Sequence, residues 1–499
     1  MIDLVLGRRQ VLSGLVWVIT GLALLTAGVG IAASAAVEAV DGGDELVDLL
    51  WPALVAFILG GVLLRISAFP GRVSTVGAFA AVAWSWVAVS IVGAVPFLST
   101  GTLPVWYDAL FESVSGFTCS GSTVLTDIEG QGAGILFWRS MTQWLGGMGL
   151  VVLAVAVFPL LRVGGLELIS AEAPGPETDR LSPRIRDTAK LLWQVYFGLT
   201  VLVTVALLVV GMDLFDAVTH AFAAASTGGF SPRSSSIGTY DSVAIEVVII
   251  IAMIIGGASF TLHYRAVQGD LGVYRRVSEA RLYLQVLVGA TALLTVLLLV
   301  DGVEDGVGGA LRSAAFNAAT IVSSCGFGTD DFTTWGSSAQ FLLLVLMVPA
   351  GMTGSTSGGM KLLRLQVLVR HALREVVRSR HPQAVVPVRL GNQPVAEDVV
   401  SRVVGFAVIY ATSILFGGVL VTALGVDLVT GFSGAVSAIG NIGPALGEAG
   451  PASTFLEYPA PARGALMALM LLGRLELFAV LYMFAGIARA LPRRRLTER

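Results

Sequence analysis

Apolar residues run in blocks of about 20 along nearly the whole chain, separated by short polar or glycine-rich connections. A helix of that length crosses the hydrocarbon core of a bilayer. Ten such blocks stand near 14–37, 49–67, 75–98, 134–161, 190–211, 242–264, 282–300, 338–364, 403–425 and 463–487. Between the third and fourth, and within each later pair, lies a shorter segment of moderate hydrophobicity: 106–119, 213–226, 310–324 and 428–441. Fourteen helical residues rise about 21 Å, so these segments are expected to enter the membrane without crossing it. The pattern predicts an all-α membrane protein with ten transmembrane helices and four re-entrant half-helices. An N-terminal two-helix hairpin over 1–70 precedes four repeats of helix, half-helix, glycine loop and helix. These repeats occupy 71–165, 166–270, 271–382 and 383–499, the third with a broken inner helix.

Each half-helix ends in a similar string. They read Thr118-Cys119-Ser120-Gly121, Ser226-Thr227-Gly228-Gly229-Phe230, Ser323-Ser324-Cys325-Gly326-Phe327 and Gly440-Asn441-Ile442-Gly443-Pro444. The glycines at 121, 229, 326 and 443 are 108, 97 and 117 residues apart, so one unit of roughly a hundred residues occurs four times. Irregular backbone at membrane depth is tolerated only where it lines protein or water, and inward-turned carbonyls can replace part of an ion's hydration shell. Glycine fits the crowded point where four strands approach an axis, because it lacks a Cβ and accepts φ > 0. The small residues before it keep the loops narrow. Each half-helix points the negative end of its dipole inward, which favours a monovalent cation at the centre. Glu112 precedes the first loop without an acidic counterpart at the other three, so a buried structural acid is expected there rather than an ion ligand.

Charge orients this scheme. Arg8 and Arg9; Arg65 and Arg72; Arg162, Arg180, Arg184, Arg186 and Lys190; Arg265, Arg275, Arg276 and Arg281; Arg370, Arg374, Arg378 and Arg380; and Arg493, Arg494 and Arg495 fall on alternate connections. The positive-inside rule puts these, and both termini, in the cytoplasm of a cell-membrane protein. Glu38, Asp41, Asp44, Glu45, Asp127, Glu129, Asp301, Glu304, Asp305, Asp330 and Asp331 fall on the other side, with all four loops. The longer connections, 162–189 and 365–402, mix charge and proline and read either as solvated linkers or as docking surfaces for a cytosolic partner.

Of 499 residues, 55% are hydrophobic and 13% charged, and the mean hydropathy is +0.83, which excludes a soluble fold. A net charge of −3 gives no general basic surface for nucleic acid. The two cysteines, Cys119 and Cys325, make no disulfide framework, although a single bridge between loops is an alternative. Ala33-Ser34-Ala35 resembles a signal-cleavage site, but the preceding apolar run of about 24 residues exceeds a typical h-region. A retained hairpin is the reading adopted, with a cleaved or twin-arginine signal as the alternative.

The eighth block is interrupted by Gly351-Met352-Thr353-Gly354-Ser355-Thr356-Ser357-Gly358-Gly359-Met360-Lys361. That run cannot stand as a lipid-facing helix, and it lacks the ending of a phosphate-binding loop. A movable barrier beneath the four glycines is the expectation. Lys361 is expected to snorkel to the cytoplasmic edge. Arg474 lies within the last apolar block, where an arginine is costly unless it faces a polar interior. It is expected to border the pore, repel cations and hydrogen-bond the glycine-rich run, with a packing ion pair as the alternative. Glu476 points to another helical face and is a poor partner. The four histidines have no metal-ligand spacing, and His220 is expected in the core or at an interface, with titration in the outer pore as the alternative.

The strings Phe111-Glu112-Ser113-Val114-Ser115-Gly116-Phe117, Gln143-Trp144-Leu145-Gly146-Gly147-Met148-Gly149, Ser226-Thr227-Gly228-Gly229-Phe230-Ser231 and Gly473-Arg474-Leu475-Glu476 closely resemble the Trk/Ktr/HKT superfamily of potassium transporters. With its two-helix extension, the chain is most similar to the TrkH-type pore-forming subunits. The resemblance implies K+ as transported ion, no organic cofactor, a homodimer, and gating by a cytosolic nucleotide-binding ring of the TrkA type. It makes Gly121, Gly229, Gly326 and Gly443 the filter glycines, and a glycine at the first position favours potassium over sodium. Flanking them, Thr118, Cys119, Ser120, Ser226, Thr227, Gly228, Ser324, Cys325, Asn441 and Ile442 complete the filter candidates. It makes Gly351, Gly354, Ser355, Thr356, Ser357, Gly358 and Gly359, with Arg474, the gate. The first loop departs from the usual Thr-Thr-Thr-Gly at Cys119-Ser120, which should alter loop stability more than selectivity.

A sodium or unselective cation pathway remains the alternative within transport, and nothing in the residues separates ion-coupled symport from a channel. An intramembrane enzyme would need paired aspartates, a Ser/His pair or His-Glu-x-x-His at membrane depth, and the sequence offers none. A purely structural scaffold would leave four outward loops of one pattern unexplained.

Overall fold

The computed structural model describes residues 2–67, 75–156, 185–391 and 393–475. The repeat boundaries near 70 and 165, the basic residues Arg72, Arg162, Arg180, Arg184 and Arg493 to Arg495, and Glu476 lie outside them. Six helices among the described residues are long and apolar enough to cross a bilayer: Gly14–Asp41, Leu46–Ile66, Phe79–Ser99, Ala189–Val209, Ser278–Val300 and Glu397–Ala423. The protein is therefore a multi-pass membrane protein built mainly of helices.

The N-terminal helix, Ile2–Asp41, turns back into Leu46–Ile66. Their crossing is set by glycine: a Cβ on Gly21 would lie 3.0 Å from Gly60 O, and one on Gly60 would lie 2.8 Å from Gly21 O. Small residues of this kind let membrane helices approach backbone to backbone. The hairpin then docks on the helix Ala133–Ala156. There Trp138, Met141 and Leu145 close over Gly30, and the buried Glu38 accepts the Gly134 amide at 2.7 Å. Ala33-Ser34-Ala35 lies inside the first helix, with Ser34 and Ala35 buried.

Four short helices recur as expected: Trp106–Thr118, Leu214–Ser226, Val307–Val322 and Leu428–Gly440. Apolar side chains, together with Ser113, Thr219, Asn317 and Ser433, are buried in them, so they are enclosed by protein rather than lipid. Two are capped at their N-termini by aspartates: Asp213 accepts from Asp216 N, and Asp427 from Val429 N and Thr430 N.

Three expected elements differ in form. The block 242–264 is not one straight span: Val243–Gly256 and Phe260–Val267 meet at 104°. The break has a packing cause, since any side chain on Gly257 would overlap Tyr283 Oη and one on Gly256 would lie 2.9 Å from Ala224 O. The block 338–364 contains only a ten-residue helix, Ser337–Leu346, before the chain leaves helical geometry. Pro349–Ala350 then pairs in parallel with Met360–Lys361 across the glycine-rich run. The connection 365–402 is no open linker. It begins within the helix Leu362–Arg380 and folds back through a small hairpin, Arg389–Leu390 with Gln393–Pro394. Leu363, Val367, Val388, Leu390, Val395, Val400 and Val403 form a satellite core beneath it.

Replacing Gly60 with leucine should lower the thermal unfolding free energy in detergent by about 1–3 kcal/mol through overpacking. Gly61→Leu, where open space surrounds the new Cβ, should be nearly neutral. Equal effects at the two positions would show that the close helix crossing does not decide stability.

Candidate functional site

The four half-helices end in one repeated backbone device. Each terminates in a residue of left-handed conformation: Cys119 (φ 54°), Thr227 (52°), Ser324 (53°) and Asn441 (51°). In the first repeat Ser120 N donates to Ser115 O (2.9 Å) and Cys119 N to Gly116 O (2.9 Å). The same pair recurs as Gly228 to Ala223 with Thr227 to Ala224, as Cys325 to Thr320 with Ser324 to Ile321, and as Ile442 to Ser437 with Asn441 to Ala438. This two-bond pattern is the Schellman cap, which commonly places glycine at the left-handed position. Here cysteine, threonine, serine and asparagine occupy it, a local strain of order 1–3 kcal/mol each.

Two residues later the glycines themselves sit at positive φ: Gly121 at 78°, Gly229 at 80°, Gly326 at 93° and Gly443 at 102°. Their neighbours close a ring. A Cβ on Gly121 would overlap Gly228 O, one on Gly229 Cys325 O, one on Gly326 Ile442 O, and one on Gly443 Ser120 O. In every case the overlapped carbonyl belongs to the residue just before the next loop's glycine. The four turns are thus cyclic neighbours, each glycine leaving room for the adjacent strand's carbonyl. A cavity opens from these glycines and is walled by Thr123, Ile128, Arg139, Phe230, Arg233, Pro444 and Phe455.

Supports behind the ring were only partly visible in the sequence. Gln143 bridges to the second loop, donating from Nε2 to Gly228 O (2.6 Å) and accepting Phe230 N at Oε1 (3.0 Å). Its own backbone carbonyl accepts the Cys119 thiol at 3.2 Å. Glu112 is buried and structural, taking Arg139 Nε (2.7 Å), Thr123 Oγ1 (2.9 Å) and Val124 N (2.9 Å). Arg139 also donates to Ser231 O (2.7 Å) and lies 3.8 Å over the Phe230 ring, so it ties the first repeat to the second loop. The residue string around Gln143 signalled importance without a role, whereas Arg139 left no signal beyond being a charge in an apolar block. His220 is in the core, within 2.9 Å of Ser231 Oγ. Cys119 and Cys325 are buried free thiols.

The glycine-rich run lies against the inner ends of these helices. Thr356 Oγ1 is 3.1 Å from both Ala225 O and Gly256 O, and 3.3 Å from Thr227 Oγ1. Ser357 Oγ donates to Ser323 O (2.6 Å), and Gly358 N donates to Ser324 Oγ (3.0 Å). A side chain at Gly358 would lie 2.5 Å from Gly440 O. The second, third and fourth half-helices are therefore all touched by one loop. Gly351 packs on Gly257 O, Gly354 and Gly359 take positive φ (79° and 62°), and Ser355 Oγ donates to Met352 O (2.6 Å). Met352 N donates to Gly257 O (2.8 Å) and Phe260 N to Gly354 O (3.0 Å), so the loop satisfies backbone groups freed by the 104° bend.

Arg474, 1% exposed, completes the contact with the first loop. Nη1 donates to Thr356 O (2.6 Å) and Nη2 to Cys119 Sγ (3.0 Å). No carboxylate among the described residues pairs with it, which removes the ion-pair alternative within them. Lys361 corrects the snorkelling expectation. It is 5% exposed, and its ammonium donates to Ser357 O (2.5 Å) and approaches Ser355 Oγ (3.4 Å). Strand pairing with Ala350 turns it inward, where loop carbonyls and hydroxyls offer acceptors.

Comparison with known proteins gives one consistent result. The family described as TrkH, cation transport protein, matches residues 54–303 and 303–490. The Trk system potassium uptake protein TrkH of Halomonas elongata is 40% identical over 402 residues, covering 80% of this chain and 83% of that protein. The Escherichia coli protein of the same name is 38% identical over 417 residues, covering 83% and 86%. The crystal structure of the potassium transporter TrkH from Vibrio parahaemolyticus superposes with a TM-score of 0.86 at 32% identity, over 95% of this chain and 98% of that one.

Arg139→Met should leave Glu112 buried without its cation and cost about 3–5 kcal/mol. Adding Glu112→Gln should recover part of that loss in detergent thermal unfolding. An undiminished melting temperature in the single variant would show that the buried pair does not brace the loops.

Proposed function

The chain belongs to the TrkH family of cation transport proteins, transporters rather than enzymes, and we propose that it mediates potassium uptake through a ring of backbone carbonyls closed by an intramembrane loop. The observation that carries this reading is the cyclic order of the four glycine turns, each accommodating its neighbour's carbonyl. Carbonyl oxygens held so close can exchange with the hydration shell of an alkali cation. Thr118, Cys119, Ser120 and Gly121; Ser226, Thr227, Gly228 and Gly229; Ser324, Cys325 and Gly326; and Asn441, Ile442 and Gly443 are the proposed filter. The four repeats, 71–165, 166–270, 271–382 and 383–499, are its quarters, and the equal caps of the half-helices support that division.

In the same reading, the run from Gly351 to Gly359 is the gate. Its donors sit on the carbonyl ends of the half-helices, where the helix dipoles would otherwise attract a cation. Arg474 latches it at Thr356 O and adds a positive charge beneath the filter. The relatives are named as parts of a Trk system, and a partner component is accordingly proposed: a cytosolic nucleotide-binding ring of the TrkA type acting on a homodimer. The arginine-rich connections support a cytoplasmic side for that partner and for both termini, by the positive-inside rule.

Proteoliposomes holding the purified chain should accumulate rubidium-86, with potassium competing strongly and sodium weakly. Equal competition by sodium would favour the unselective alternative. Arg474→Ala should raise partner-free flux at least tenfold, since losing hydrogen bonds to a charged group costs ~1.5–3 kcal/mol and ~1.4 kcal/mol is a factor of ten. Unchanged flux in that variant would count against the gate.

A further inference from the structure

We propose that Glu279 is a positioning residue that clasps the neck of the intramembrane loop, so that the gate moves as a swinging tip and not as an unwinding segment. The inference rests on the gate reading above and extends it to a residue in a different helix.

Glu279 is the second residue of the helix Ser278–Val300 and is fully buried. Its Oε1 accepts the amide of Thr353 at 2.6 Å and that of Leu363 at 3.2 Å. Thr353 lies on the limb that enters the loop's tip, and Leu363 lies just beyond the limb that leaves it. The strand pairing of Pro349 with Met360 and Ala350 with Lys361 lies at the same level. Met360 N donates to Val348 O (3.3 Å) and Leu362 N to Gly351 O (3.2 Å). The neck is thus closed by backbone bonds between its two limbs and by one carboxylate oxygen spanning both.

Contacts of the tip are of another kind. Thr356, Ser357 and Gly358 bond to half-helices of the second and third repeats, and Arg474 reaches Thr356 from the fourth. Those bonds join separate elements and can exchange together, whereas the Glu279 clasp and the limb-to-limb pairing stay within the third repeat, with the entering limb also seated on the bent helix through Met352 N to Gly257 O. Lys361, at the neck, holds the tip's interior through Ser357 O. Without Glu279, the Thr353 and Leu363 amides would be buried donors lacking their acceptor, and the loop would lose its fixed pivot. Because both amides converge on Oε1 while Oε2 has no hydrogen-bond partner, a neutral side chain with one correctly placed oxygen should suffice.

The test is partner-free rubidium-86 uptake by the full-length chain in proteoliposomes, normalised to inserted protein. Glu279→Leu should raise flux at least threefold, with the preference for potassium over sodium unchanged within twofold. Glu279→Gln should stay within twofold of the parent, a rescue that a general packing defect would not give. If Arg474→Ala leaks and Glu279→Leu does not, the clasp is overturned and the gate stands. If neither leaks, both readings fall. A leak from Glu279→Gln equal to that of Glu279→Leu would overturn the single-oxygen clasp. Should the leucine variant insert poorly, Leu363→Pro deletes one donor at a first-turn position where proline is tolerated. It should leak at least twofold, and parent-level flux there would overturn the proposal.

Discussion

Four short buried helices end at one ring of turns, and the residues around that ring answer the constraint set by their carbonyl ends. The helix ends are buried, and each polar group left unpaired in such surroundings costs several kcal/mol. The left-handed caps at Cys119, Thr227, Ser324 and Asn441 use two carbonyls per helix. Among the other acceptors, Ala225 O takes Thr356 Oγ1, Ser323 O takes Ser357 Oγ, and Ser324 Oγ takes the Gly358 amide. Partial negative charge from four helix dipoles still converges on the centre. A cation is one answer to that field, and the donors of the loop are another. On the proposed reading, gating is a competition between the two for the same acceptors.

That competition explains why the upper and lower halves differ in symmetry. The ring of glycine turns is made four times over by equivalent residues, whereas the loop is made once, from the third repeat. Its seating draws on the bent helix at Gly257, the half-helices ending at Ser226 and Val322, and Arg474 near the end of Ala460–Arg474. The bend and the loop are mutual: Gly257 O takes Met352 N while Gly354 O takes Phe260 N. Neither irregular segment satisfies its backbone alone. A change at one is therefore expected to be felt at the other, although they lie about a hundred residues apart in sequence.

The half-helices and the four glycines were legible because they are local patterns: a short apolar run, then small residues and a glycine. The glycine-rich break was legible for the same reason. Less visible was the strain placed two residues earlier, on non-glycine residues at positive φ, because the cap depends on where the helix stops rather than on composition. The 104° bend escaped notice since Val243–Gly256 and Phe260–Val267 read as one apolar block, and only Tyr283 and Ala224 show why Gly256 and Gly257 must yield. Lys361 was misplaced because snorkelling is the default for a lysine near a membrane edge, and its acceptors arise only once Ala350 pairs beside it. Glu279, near the start of an ordinary-looking span, carried no local mark of its partners at 353 and 363.

The choice of arginine at 474 follows from the geometry of the acceptors. Thr356 O and Cys119 Sγ lie on different elements, and one planar guanidinium reaches both with separate nitrogens. A lysine offers a single compact ammonium and would have to favour one of them. Its charge has no carboxylate partner among the described residues to cancel it. A unit charge roughly 10 Å from a passing cation opposes it by about 1.7 kcal/mol at an effective dielectric of ~20. That repulsion alone would slow flux by little more than tenfold. On the proposed reading the loop supplies the rest as a physical obstacle, and the arginine acts both by repulsion and by holding the loop in place.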